Sequence, residues 1–364
     1  MQTNKWIDSI VMEREKSWDF IKTLLMFFIV FGHICPSDPD KWTPVTRVIG
    51  LFAIPLFFFI SGFFQSKVDT LKALKERYKK NFFRIVVPLL SWGILYILLS
   101  SIKMFDGNSY NVVDIWQFYK YTPYYIMGFY WFLTALIFCQ IFGTILSLII
   151  NSNTKIGNTL LLASFLFFCL LPHNFIEHYH FSFIWFFYGT GMLYRQIGKD
   201  WLQYVYSNTI LFCLFIVTIV LLLGIGIHFM PSETFYYKSN LVAETPISFI
   251  IQRYLLYLSV SLLLLFWMKQ CYRRFKGGNV VQILASWGLD TLFIYCSHML
   301  FLEFIYKPNL MPILFHEEGS VIDRIMEHVV GILVSLALYW VLQYICIYCK
   351  RFKWIRVLLM GIRQ

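Results

Sequence analysis

Charge is scarce in this chain. Only 14% of its 364 residues are charged, 20 acidic against 31 basic, where soluble domains carry about 25%. A water-facing globular surface is therefore excluded over most of the length. Equally missing are a Gly-rich phosphate loop, a Gly-x-Ser-x-Gly elbow and a helical His-Glu-x-x-His pair. The eight cysteines (Cys35, Cys139, Cys169, Cys213, Cys271, Cys296, Cys346 and Cys349) mostly sit inside apolar runs without the spacing of a disulfide framework. They read as small core hydrophobes. Cys346-x-x-Cys349 closes the last apolar run and lacks the βαβ surroundings of a redox motif. His173-Asn-Phe-Ile-Glu177-His178-Tyr-His180 gathers imidazoles and a carboxylate at no recognised zinc spacing, so no metal is expected. The polar residues 1–17 give no sign of a cleavable signal. No repeat, low-complexity tract or soluble domain interrupts the sequence, which reads as one membrane domain over 1–364.

What the chain has in excess is apolar surface. Hydrophobic residues make up 59% and aromatics 20%, gathered into separated long runs. Ten of these runs approach the roughly 15–25 residues that a hydrocarbon core demands: 18–36, 48–65, 83–102, 124–150, 158–172, 181–197, 207–229, 249–269, 283–304 and 329–349. The expected fold is all-α, a polytopic membrane protein of about ten transmembrane helices. Orientation follows from Lys and Arg in alternate loops. One set gathers the N-terminus, 67–84, Lys155, Arg195, Lys199, 269–276 and the tail from Lys350 onward. The other holds only Lys41, Arg47, Lys103, Lys120, Lys238, Arg253, Lys307 and Arg324. Both termini are thus expected to be cytoplasmic. The net charge of +11 reads as a topology signal and a contact for anionic lipid, not as a nucleic-acid footprint. The longer outer loops, 103–123, 230–248 and 305–328, suit a lid, an acceptor-binding rim or a plain solvated connection.

Ionisable groups inside such runs are costly to desolvate and point to function by default. The first run, Trp18 to His33, carries Asp19, Lys22 and His33. Lys22 and His33 are eleven residues apart, so they share nearly one face of a helix across a rise of about 16 Å. Asp19 and Lys22, three apart, can partly neutralise each other. The same positions also suit an Asp and Lys reaching toward one interface and a His closing the other end. In the second run Pro55 frees a carbonyl, and Ser61-Gly62 permits close helix approach. The third opens with Lys80 and Arg84, which suit either interfacial snorkelling or an anion site. Tyr130-Trp131 begins the fourth at the outer interface, and the ninth holds Asp290, Tyr295 and His298. His298 falls at a depth comparable to His33. The two imidazoles either share a cavity or are held separately by neighbouring helices.

Together these stretches resemble the acyltransferase-3 family of integral membrane acyltransferases, over almost the whole chain. Arg14-x4-Asp19-x2-Lys22-x10-His33 is similar to the family's first-helix pattern, with Lys22 where Arg is usual. Pro55-x-Phe-Phe-x-x-Ser61-Gly62, Arg84-x3-Pro88 and Ile294-Tyr295-x-x-His298 resemble its later motifs. The earlier of two usual third-helix arginines is here Asn81, with Lys80 beside it. The resemblance implies O-acetyl transfer from acetyl-CoA, used as a donor substrate with no bound cofactor, to a hydroxyl of a cell-surface polysaccharide or glycan precursor. It also implies a bacterial cytoplasmic membrane. On this reading Lys22, Arg84 and Lys80 hold the anionic donor, and His33 acts as base or acyl carrier. Asp19 charge-balances Lys22, while His298, Tyr295 and Trp131 serve the acceptor or the oxyanion. A transporter of a polar or anionic solute is the alternative, and it would call for broken helices repeated in two halves, a symmetry not seen here. A polysaccharide polymerase or ligase would call for more arginine in the outer loops.

Overall fold

The computed structural model describes residues 16–34, 44–105, 120, 126–170, 181–197, parts of 208–221, 247–311 and 321–362. Every regular element among them is helical. In order they are α1 (Lys16–Ile34), α2 (Pro44–Phe63), α3 (Leu71–Asn81) and a π-helical stretch (Phe82–Val86) that runs into α4 (Val87–Phe105). Then come α5 (Trp131–Ser152), α6 (Thr154–Leu170), α7 (Phe181–Ile197) and α8 (Ile247–Phe275). The chain ends with α9 (Asn279–Trp287), α10 (Thr291–Phe301), a second π-helical stretch (Leu302–Leu310), α11 (Val321–Cys349) and α12 (Lys353–Met360). Helix is the form this composition requires, because a spanning segment in lipid must satisfy its own backbone polar groups.

Among the described residues five helices are long and apolar enough to cross a membrane, or six if α9 and the α10 segment, bent by 77° at their break, form one span. The apolar helices at Ile49–Phe63 and Thr154–Phe168 are shorter. The run at 207–229 is only partly described, and Arg14, the 173–180 cluster and most of the three long outer loops lie outside the described residues.

The centre of the bundle is α1, which packs against α2, α8, α9, α10 and α11. Ile21, Leu25, Met26, Val30 and Ile34 are almost wholly buried. A helix apolar on all sides belongs in an interior, and this one is ringed by protein. The most extensive helix pair is α2 with α7, and small residues make it possible. A Cβ at Gly62 would stand 1.8 Å from the Tyr188 carbonyl oxygen, and one at Gly191 would stand 2.0 Å from that of Phe59. Larger residues at either position would separate the helices.

A proline stands at each π-helical stretch. Pro88 has no N–H to offer the Arg84 carbonyl, and the Val87 N–H bonds instead to Phe82 five residues back. Pro308 lies within the second stretch, after which the Met311 N–H reaches the Tyr306 carbonyl.

Candidate active site

The last turn of α1 and the body of α10 meet through two imidazoles. The His33 and His298 rings lie 5.6 Å apart, inclined by 44°. His298 is fully buried, and its Nδ1 sits 3.0 Å from the Ile294 carbonyl oxygen of its own helix. A carbonyl only accepts, so Nδ1 carries the proton and Nε2 presents a bare lone pair. That Nε2 has no hydrogen-bond partner among the described residues. Tyr295 lies one helical turn below, its ring 5.8 Å from His298. Phe132 packs on Tyr295 at 5.0 Å and Tyr130 at 6.5 Å. The Tyr130 hydroxyl is buried and, among the described residues, also without a partner. Tyr306 donates its hydroxyl to the Ile34 carbonyl at 2.8 Å, which ties the end of α1, one residue past His33, to the stretch following α10. Each unsatisfied buried polar group costs about 1–3 kcal/mol and is rare in native interiors. Two of them around one aromatic cluster leave a bare base and a hydroxyl where a polar ligand would find partners.

The other end of α1 is held by charge and by close backbone contact. Lys22 Nζ lies 2.6 Å from Asp19 Oδ1, with the carboxylate buried and the ammonium more open. The Thr23 hydroxyl reaches the Leu284 carbonyl oxygen of α9 at 2.6 Å. At Gly288, in the break between α9 and α10, a Cβ would fall 1.9 Å from the Asp19 carbonyl oxygen. The break is thus seated directly on the α1 backbone. Its other side is clamped by Lys350 at the end of α11, whose Nζ is 2.6 Å and 2.7 Å from the two oxygens of the buried Asp290. One short segment therefore couples Asp19 to the helix that carries His298.

The structure brings His33, His298 and Tyr295 together, and separately pairs Asp19 with Lys22. Lys80 and Arg84 are exposed, on α3 and in the first π-helical stretch. The Arg84 backbone is covered by Gly361, whose φ of 65° and close approach (a Cβ would meet the Arg84 carbonyl at 2.4 Å) both require glycine. Trp131 is half-buried at the start of α5, and its neighbours Tyr130 and Phe132 are the residues that reach Tyr295. Sequence reasoning missed Tyr130, Tyr306, Gly288 and the Asp290–Lys350 pair. Tyr130 had a signal, its place beside Trp131, but an interfacial aromatic belt explains that position equally well.

A bundle of apolar helices with two imidazole rings 5.6 Å apart inside it, and a carboxylate–ammonium pair three turns along the same central helix, defines an all-helical membrane protein with ionisable groups gathered in its interior. The model of the acyltransferase-3 family, described as an acyltransferase domain, matches residues 15–344, and the chain belongs to that family. Among curated proteins it is similar to nodulation protein NolL of Mesorhizobium japonicum, 24% identical over 296 residues that cover 78% of this chain and 75% of that protein. It is also similar to nodulation protein NolL of Sinorhizobium fredii, 25% identical over 132 residues, 34% of each chain. No solved structure matches. The chain is a membrane acyltransferase.

Proposed function

We propose that the protein transfers an acetyl group from acetyl-CoA to a hydroxyl of a cell-surface polysaccharide or of its glycan precursor. It does so in the bacterial cytoplasmic membrane, which it crosses ten times with both termini inside. The observation that carries this reading is the imidazole pair, with His298 Nε2 and the Tyr130 hydroxyl, in the same aromatic cluster, both without a partner among the described residues. Transfer from a thioester to an alcohol needs a base for the alcohol proton and a donor for the developing oxyanion. His33, half-buried at the end of α1, takes the hydroxyl proton. The hydroxyl oxygen then attacks the acetyl carbonyl, the C–S bond breaks, and the imidazolium returns its proton to the departing thiolate. His298 Nε2 accepts from a neighbouring hydroxyl of the acceptor and so positions the attacking one, and the tyrosine hydroxyls donate toward the oxyanion. Lys22, charge-balanced by Asp19, contacts the donor from the cytoplasmic side together with Lys80 and Arg84.

The test is purified protein in lipid vesicles with acetyl-CoA labelled on the acetyl group. CoA release and label transfer are followed for the parent chain and for His33→Ala. Turnover by the parent that falls by 10²-fold or more in the variant, the range set by loss of a general base, supports the assignment. Full activity in His33→Ala removes His33 from the chemistry. A parent chain that neither binds nor turns over acetyl-CoA shifts the reading to transport of a polar solute.

A further inference from the structure

A second polar cluster lies at the junction of α2, α3, α5 and α7, among residues that the site above does not use. Its hub is the buried Gln65, just past the end of α2. Gln65 Oε1 accepts from the Tyr188 hydroxyl at 2.6 Å, its Nε2 donates to Thr144 at 3.1 Å, and its backbone carbonyl accepts from Arg195. Beside it, buried Asn81 donates to Gln140 at 3.1 Å. Arg77, on α3, is half-buried against the same cluster, and its charge acts on both Tyr188 and Arg195. Its Nε has no hydrogen-bond partner among the described residues. The ion pairs among those residues join Lys22, Lys307 and Lys350 to carboxylates and include neither arginine. Two neighbouring guanidiniums, half withdrawn from water and without a carboxylate among the described residues, repel each other. Among the described residues no carboxylate balances this positive charge, and the Arg77 Nε–H is unmatched.

The geometry points to Arg77 and Arg195 as a receptor for a phosphoanion, filled by a phosphate group of the CoA donor. This rests on the acyl-CoA reading above and adds two donor-binding residues to it. Guanidinium suits phosphate because its donors match the spacing of two oxygens. The hydrogen bond from Arg195 to the Gln65 carbonyl, with Gln65 itself held by Tyr188 and Thr144, fixes Arg195 before the ligand arrives. The flanking α3 carries exposed Lys72, Lys75, Lys79 and Lys80, which would draw a polyanion toward it.

The experiment measures equilibrium binding of labelled acetyl-CoA to the full chain in phosphatidylcholine vesicles, for the parent, Arg77→Gln and Arg195→Gln. Each variant is expected to bind about ten- to a hundredfold more weakly, the usual loss for a charge-assisted hydrogen bond. Inorganic pyrophosphate is expected to compete with acetyl-CoA on the parent, a measurement that stands even where a variant fails to fold. Undiminished binding in both folded variants, or no competition by pyrophosphate at millimolar concentration, overturns the assignment while leaving the acyltransferase reading intact. A parent that does not bind acetyl-CoA overturns both. If adding phosphatidylglycerol abolishes acetyl-CoA binding to the parent but not the residual binding of the variants, the occupant is a lipid phosphate and the donor assignment falls.

Discussion

Gly288→Ala tests whether the seating of the α9–α10 break on α1 sets the geometry of the imidazole pair. The added Cβ would stand 1.9 Å from the Asp19 carbonyl oxygen, 2.4 Å from its carbonyl carbon and 2.7 Å from its Cα. All three are backbone atoms, so no side chain can swing away. Contacts under 3.0 Å essentially never occur at a Cβ; the break and α1 must part by about 1.1 Å, at an overpacking cost of about 1–3 kcal/mol. Because α10 begins at the break, the shift passes to His298. A misplacement of 1 Å at a reacting centre costs on the order of 10²-fold in rate, or about 2.7 kcal/mol of barrier. The assay is the initial rate of labelled acetyl transfer in vesicles, with thermal unfolding in detergent as the measure of folding. Gly32→Ala is the control: it neighbours His33, but its Cβ would have nothing within 4 Å. A hundredfold slower Gly288→Ala beside a near-normal Gly32→Ala is the expected result. A Gly288→Ala enzyme within about threefold of the parent would refute the coupling.

Three further substitutions probe the frame around the site. Asp290→Asn leaves the Lys350 ammonium without its carboxylate and should destabilise by about 1–3 kcal/mol, less than a fully buried pair because Lys350 stays one-third exposed; an unchanged unfolding midpoint would show the clamp to be idle. Tyr306→Phe strips the hydroxyl from the buried Ile34 carbonyl, at a cost of about 1–3 kcal/mol, and should slow transfer by loosening the turn that carries His33. Equal stability and equal rate would count against that tie. Gly191→Ala drives a Cβ to 2.0 Å from the Phe59 carbonyl oxygen and should lower the yield of monodisperse protein, as read by size-exclusion chromatography. A normal yield would mean that α2 and α7 can separate freely.

The helical class and the central place of the first run were legible from composition and from three ionisable residues in an apolar stretch. Such residues are costly unless surrounded by protein, and α1 is so surrounded. The meeting of His33 with His298 was legible only as comparable depth, because depth is set by span boundaries whereas lateral contact is set by packing. Gly288 gave no warning: its φ is ordinary, and what demands glycine is the backbone of a residue some 270 positions earlier in sequence. The Arg77–Arg195 pair was hidden differently. Each arginine fits the positive-inside bias, which accounts for its presence without saying which neighbours it meets.

The Asp19–Lys22 bridge joins two residues of one helix, and this bears on how the protein is made. α1 emerges well before the helices that cover its Asp19 end, because α9 and α11 are encoded more than 240 residues later. At 5–20 residues per second that delay is on the order of ten seconds or more. During it α1 must lie in lipid or beside early neighbours without its final partners. A carboxylate waiting for a cation on a distant helix would be stranded, whereas one neutralised three residues away enters the bilayer already compensated. The charge on α1 is thus carried in a form that a nascent chain can tolerate.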